Sequence, residues 1–264
     1  QRIADTNKEV FYLSHEARSD VDANFYVDVQ NCYKGKTNTL DIGYFTHLHE
    51  NSINHLAPYW LTLDHIIQKC TRYLDVFSRF YPRDKMSLIY PGELSEKFKL
   101  KKPTIGIFQR GEYEGKGFFF MKNLAEEKVL KNFKFLIVGT GWGEVVDLYE
   151  KNGIEVDYCT DESYEKYPDL YSSIDYLLIP SLWEAGPMSV IEGLGCGIPI
   201  ISADVGWVNG DFEVDYSFQP NNSIELIQIL NSIFQKIKNR RERVSFLSYN
   251  TYGEKLIRIV ERLK

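Results

Sequence analysis

Glu184 and Glu192 stand eight positions apart in the run 179–199, IPSLWEAGPMSVIEGLGCGIP. The apolar stretch 175–179 ahead of them, closed by Pro180 and Ser181, has the make-up of a buried parallel strand meeting a turn. Behind it, Met188, Val190, Ile191 and Leu194 take the apolar positions of a helix that Gly186 and Pro187 can open, because proline is tolerated in a first turn. The unpaired amides of such a helix start, at the positive end of its dipole, attract an anion. Ala185, Gly186, Pro187, Met188 and Ser189 then line a phosphate site. Glu184 flanks it from the loop and Glu192 from about a turn and a half inside the helix. Carboxylates beside an anion site make sense for a ligand carrying both phosphates and hydroxyls, in which the amides take the phosphates and the carboxylates accept from sugar hydroxyls. The plainer alternative is that both glutamates are solvated residues of a helix surface.

A second cluster lies in 109–117, QRGEYEGKG, after an apolar run. Its three glycines let the backbone approach a ligand, and Arg110 and Lys116, at the carboxyl end of a parallel strand, can neutralise a departing diphosphate. In this order the motifs resemble retaining GT-B glycosyltransferases of the family-4-like group (group 1). Their usual text is close to EGxPxxxxEAxxxGxPVI, and here it stands as EAGPMSVIEGLGCGIPII. The Arg-x5-Lys-Gly spacing agrees with the family's diphosphate-holding pair. The resemblance covers residues 85–264 well and the first 80 loosely. It implies two Rossmann-like domains facing a cleft, a nucleoside-diphosphate sugar as donor, Glu184 on the sugar and Glu192 on the ribose. It implies no metal and no cofactor beyond the donor itself.

Other motifs are less specific. Gly139-Thr-Gly-Trp-Gly143 lacks the last glycine of a dinucleotide fingerprint, since Glu144 stands there, and it follows the second strand of its half rather than the first. The resemblance puts Gly139 and Gly141 in the donor cleft and the nucleotide base near Tyr158; a plain turn into a helix is the other reading of the glycines. His47 and His49, in IGYFTHLHE, have no acidic or cysteine partners in sequence that would complete a metal site. His47 resembles the family's acceptor-side histidine that contacts the transferred sugar, while the alternative makes both ordinary loop histidines. Asp20-Val-Asp22 has a D-x-D look but reads as a solvated turn.

The elements that must hold these residues follow from periodicity. Strands are expected at 10–14, 24–29, 40–46 and 86–90, and a helix over 60–80. From residue 104 strands and helices alternate: strands at 104–109, 133–138, 154–158, 175–179 and 199–202; helices at 117–130, 142–151, 162–171, 187–196, 223–238 and 241–263. Such alternation means a parallel sheet covered on both faces, with ligands at the carboxyl ends of its strands. The α/β chain therefore divides into a reduced N-terminal acceptor-side domain (1–95), a donor-binding domain (96–238) and a helix (239–264). The resemblance implies that this helix crosses back to the first domain. A first domain of about 95 residues is small for such a sheet, so either the acceptor side is naturally reduced or sequence upstream of Gln1 is missing.

Composition narrows the classes. The chain has 264 residues, a formal net charge of -6 and 44% hydrophobic residues, which gives no general affinity for nucleic acid. No apolar run approaches the ~20 residues that span a bilayer. Cys32, Cys70, Cys159 and Cys196 are widely spaced, as expected of reduced, mostly buried thiols in a cytoplasmic protein. The basic runs 97–102 and 236–243 suit either a solvated helix face or peripheral attachment to the inner face of a membrane. The resulting expectation is a retaining, metal-independent hexosyltransferase of polysaccharide biosynthesis, moving a hexose or deoxyhexose to a glycan, lipid-linked or protein acceptor. Two alternatives stay open: a sugar-nucleotide-binding module serving a partner chain, and a GT-B-fold sugar-nucleotide epimerase.

Overall fold

The structure is a computed structural model and describes residues 17–27, 29, 33–45, 58, 61–92 and 98–264. The described residues fall into two compact units, one drawn from the range 1–99 together with 241–264 and one of residues 100–240. The expected strand at 10–14 and both His47 and His49 lie outside the described residues.

The first unit holds a parallel sheet in the order β1 (Ala23–Tyr26), β2 (Leu40–Phe45), β3 (His65–Gln68), β4 (Met86–Leu88). Here the reading of 60–80 as one helix is corrected. His65-Ile-Ile-Gln68 pairs with β2 in the register Ile42↔His65, and only Thr71–Phe77 is helical (α1). All four residues of β3 are buried, so the strand shows no alternation. With polar residues at both ends, it also shows no continuous apolar run. Phe45, Ile66, Leu74 and Phe77 pack one face. The helix Tyr249–Leu263, labelled α7, covers the other with Leu256 and Ile259 against Ile42, Tyr44, Ile67 and Ile89. Its first turn is capped by Ser248, whose hydroxyl accepts from the Thr251 amide at 3.0 Å, so the helix begins eight residues later than its periodicity suggested.

Three fully buried polar residues mark this unit, Asp41, His65 and Gln68. The fully buried Asp41 carboxylate accepts from the Thr37 amide at 2.7 Å, from the Thr37 and Tyr26 hydroxyls at 2.8 Å, and from Lys36 at 3.2 Å. His65 is fully buried, with Nε2 2.8 Å from the Ser87 hydroxyl. Burial, helped by the nearby Arg262 charge, pushes its pKa down to about 4 from 6.5. The unfolded chain therefore takes up a proton that the folded chain refuses. Stability held above pH 6.5 should fall by roughly 3 kcal/mol as pH drops to about 4, then level off. Denaturant titrations across that window should show a shallower decline for His65→Gln than for the parent chain.

The second unit contains a sheet ordered β10-β9-β8-β5-β6-β7, all parallel, from β5 (Thr104–Phe108), β6 (Lys134–Val138), β7 (Glu155–Cys159), β8 (Tyr176–Ile179), β9 (Ile200–Ala203) and β10 (Tyr216–Phe218). Counted from β5, this is the doubly wound order in which the chain runs outward through β6 and β7, then returns to β8 on the other side of β5. Between the strands run α2 (Phe118–Asn123), α3 (Gly143–Lys151), α4 (Tyr167–Ser172) and α5 (Met188–Gly195), and α6 (Ser223–Glu242) follows β10. The helix expected over 117–130 stops at Asn123 and is followed by a 3₁₀ turn, Lys128–Asn132. β10 had no strand signal, its three residues being too short a run to declare themselves. One core face gathers Ile105, Phe120, Phe135, Trp142, Leu226 and Leu230; the other gathers Phe108, Tyr171, Leu177 and Val190. The expectation of mostly buried thiols is corrected: Cys70 and Cys159 are half-buried and Cys196 is exposed, because it follows α5 at the solvent-facing end of that helix. Among the described residues no helix is long and apolar enough to cross a membrane.

Candidate active site

In an open doubly wound sheet a ligand crevice opens where the strand order reverses, at the carboxyl ends of the two strands that flank the reversal. Here those strands are β5 and β8. The loop after β5 ends in a 3₁₀ turn, Glu114–Lys116, and Gly117 in the left-handed region (φ 80°). The loop after β8 runs from Pro180 to Pro187. The two are fastened together: the Leu182 amide donates to the Gly115 carbonyl at 2.7 Å, and a Cβ on Gly115 would be 2.5 Å from the Trp183 indole.

This fastening brings Lys116 and Glu184, 68 positions apart, into an ion pair between Nζ and Oε1. Their side chains are 28% and 12% exposed, so the pair sits in a recess rather than in bulk solvent. The Ser181 hydroxyl is 3.1 Å from both Glu184 Oε1 and Gln109 Oε1, and the Gln109 amide nitrogen donates to the Lys116 carbonyl. Gln109, which adjoins Arg110, was not expected to take part, and Ser181 was expected only to close a turn, because neither residue type signals chemistry by itself.

The glutamates do not share partners. Glu192, in the second turn of α5, accepts from Tyr164 at 2.8 Å and from Tyr171 at 2.6 Å. The chain offered no signal for either tyrosine. Arg110 is exposed and forms no ion pair among the described residues; its charge acts on Tyr167, the same ring that feels Glu192. Burial, with Glu192 close by, pushes the pKa of Tyr167 and of Tyr171 up from the ordinary phenol value. The phenols therefore remain donors at neutral pH.

Pro187, the expected first residue of the helix, instead caps α5 with extended backbone, so the helix starts one residue later and the amides of Met188 and Ser189 fall in the turn that has no intrahelical acceptors. Ala185 and Gly186 lie against the turn 205–207, where a Cβ on Gly186 would be 2.6 Å from the Trp207 ring and one on Gly206 2.5 Å from the Ala185 carbonyl. After β6, Gly139 (φ 126°) and Gly141 (φ 82°) press onto the loop 109–112, with Gly111 donating to the Thr140 carbonyl at 2.7 Å. Their close backbone approach is to a neighbouring loop. The Tyr158 hydroxyl accepts from the Trp142 amide at 3.1 Å, while the Trp142 indole donates to the Gln109 carbonyl at 2.7 Å. Tyr158 thus braces the loop that carries Gly139 and Gly141.

The family model described as "Glycosyl transferases group 1" matches residues 93–246, more than half of the chain. The chain belongs to this family. Among curated relatives, Protein CapJ of Staphylococcus aureus is 26% identical over 95 residues, covering 36% of this chain and 24% of that protein. The UDP-Gal:alpha-D-GlcNAc-diphosphoundecaprenol alpha-1,3-galactosyltransferase of Escherichia coli is 26% identical over 98 residues, covering 33% of this chain and 24% of that one. The chain thus aligns with about a quarter of the length of each. Among solved structures, the apo lipopolysaccharide outer core galactosyltransferase WaaB aligns over 89% of this chain and 74% of that one, at 16% identity and a TM-score of 0.43. Sucrose-phosphate synthase of Thermosynechococcus elongatus aligns over 86% and 69%, at 16% identity and a TM-score of 0.45. For the group 1 chain, the match spans the loops after β5, β6 and β8 and the whole of α5.

Proposed function

We propose that this group 1 chain is a retaining glycosyltransferase that moves a hexose or deoxyhexose from a nucleoside-diphosphate sugar to a hydroxyl of a glycan, lipid-linked or protein acceptor. The observation that carries the reading is the recessed Lys116–Glu184 pair at the switch point, beside the free amides of α5. A cation and a carboxylate held within one recess suit a ligand whose phosphate meets the first and whose sugar hydroxyls meet the second. On binding, the diphosphate draws Lys116 to itself, and Glu184 accepts from the sugar while Ser181 keeps it oriented. The Met188 and Ser189 amides, with Arg110, share the charge that grows on the departing diphosphate. Glu192 accepts from the ribose.

In the transfer step the bond between the anomeric carbon and the diphosphate oxygen breaks, with the electron pair leaving on that oxygen. The acceptor oxygen then bonds to the same face of the carbon. Its proton passes to the departing phosphate, so the products are the glycoside with unchanged configuration and the protonated nucleoside diphosphate. Lys116, Arg110 and the helix amides supply the positive charge, which makes the step metal-independent. His47 is assigned to the acceptor side. The E. coli relative, whose name gives a UDP-sugar donor and a diphospholipid-linked acceptor, supports this substrate class.

A thermal-shift screen over UDP-, GDP-, ADP-, TDP- and CDP-sugars without added metal tests the reading, since a ligand of the folded state raises the melting temperature. One nucleotide class should stabilise the chain by several degrees and release free sugar slowly when no acceptor is present. Tight binding with no release or transfer would move the chain to the binding-module reading. Interconversion of the donor sugar without acceptor would move it to the epimerase reading. No stabilisation by any of them would end the proposal.

A further inference from the structure

Glu192 is engaged by two tyrosines that are held very differently. Tyr171 is 2% exposed, and its ring is stacked on Phe108 with centroids 4.1 Å apart and planes 12° apart. Packing therefore fixes its hydroxyl, 2.6 Å from Glu192 Oε2. Tyr164 is 68% exposed and lies on the short 3₁₀ turn Tyr164–Lys166, with its ring 5.1 Å from that of Tyr167. Its hydroxyl reaches Oε1 at 2.8 Å, and little else restrains it.

A ribose presents two vicinal hydroxyls, which suit the two oxygens of one carboxylate. Each carboxylate oxygen can accept two hydrogen bonds, so Tyr171 and a ribose hydroxyl can share Oε2. On the Oε1 side the donor is the exposed Tyr164, which a ligand can displace without disturbing the core. We infer that Tyr171 is a positioning residue that aims Glu192 at the donor's ribose, and that the Tyr164 hydroxyl stands in for a ribose hydroxyl and yields to it when the nucleotide binds. The inference rests on the nucleotide-sugar reading and adds to it a device for ribose selectivity. Binding replaces one phenol-to-carboxylate hydrogen bond with another from ribose, so the net gain from that contact is small. Removing the phenol oxygen makes the same ribose contact count in full. Burial and the Glu192 charge keep Tyr171 protonated, so it holds the carboxylate across the neutral range.

The test is calorimetric binding of UDP, GDP and ADP, and of the 2′,3′-dideoxy form of each, to the full chain and to its Tyr164→Phe and Tyr171→Phe variants. Both variants keep the ring and its packing. The reading quantity is the ratio of affinities for the ribo and dideoxy forms of whichever nucleotide binds. Tyr164→Phe should raise that ratio about fivefold, and Tyr171→Phe should lower it by a similar factor, the scale of one net hydrogen bond. A role confined to folding would weaken both ligands alike and leave the ratio where it was. If the parent chain binds a nucleotide but the ratio is unmoved in either variant, or moves in the opposite direction, the inference fails and the donor reading stands. If the folded parent chain binds none of the six, both fail together.

Discussion

Lys116→Ala should lower the turnover of donor, read as transfer or as sugar release without acceptor, by about 10²–10³-fold. That is the loss seen when one preorganised donor to a developing oxyanion is removed from a water-poor site. Lys116 is suited to so large an effect because it is held by its own backbone as well as by Glu184: Gln109 fixes its carbonyl, and the turn Glu114–Lys116 is tied to the β8 loop through Leu182. The substitution also leaves Glu184, only 12% exposed, with Ser181 in place of a cation, a change of about 1–3 kcal/mol in stability. Steady-state kinetics with a melting curve on the same sample separates the two consequences. A fall of less than threefold in turnover, with the fold intact, would contradict the proposed role of the cation.

Gly117→Ala should be the most damaging small substitution in the site. Gly117 has φ 80°, and a Cβ there would lie 2.1 Å from the Pro180 carbonyl oxygen and 2.7 Å from its carbon. The left-handed backbone costs a non-glycine residue about 1 kcal/mol or more, and the clash is with main chain, which cannot swing away. A loss of about 3 kcal/mol is expected, on the scale of overpacking combined with backbone strain. Because the β5 loop must retreat from the β8 loop, Lys116 and Glu184 should also separate and donor binding weaken. Gly143→Ala is the matched comparison: a Cβ there meets nothing within 4 Å, and Gly143 opens α3. That change should be neutral or slightly stabilising. Equal melting temperatures for the two variants would show that the loop contact matters less than its geometry implies.

These expectations differ in how far the linear chain announces them. The strands β5 to β9 of the second unit, unlike β10, were readable, and runs such as Phe135–Leu136–Ile137–Val138 show why: they are buried on both faces and need no alternation. The glutamate spacing and the glycine-rich turns were readable for a related reason: a short backbone motif carries its own conformational demands. β3 was misread because His65 and Gln68, polar by type, are fully buried, and burial is a property of what packs around a strand. Tyr164 and Tyr171 gave no hint of their partner. They reach Glu192 from 28 and 21 positions away, and tyrosine is as common in cores as in sites.

The amino-acid sequence on its own determined the α/β alternation, the family motif and the residue types at the carboxyl ends of β5 and β8. Each of these rests on local periodicity or on the conformational limits of glycine and proline. Only the tertiary structure decided that Lys116 faces Glu184 and that Glu192 faces two tyrosines. Both pairings depend on β8 returning beside β5 and on the register of that return, and strand order is set by the packing of the whole sheet rather than by any stretch within it.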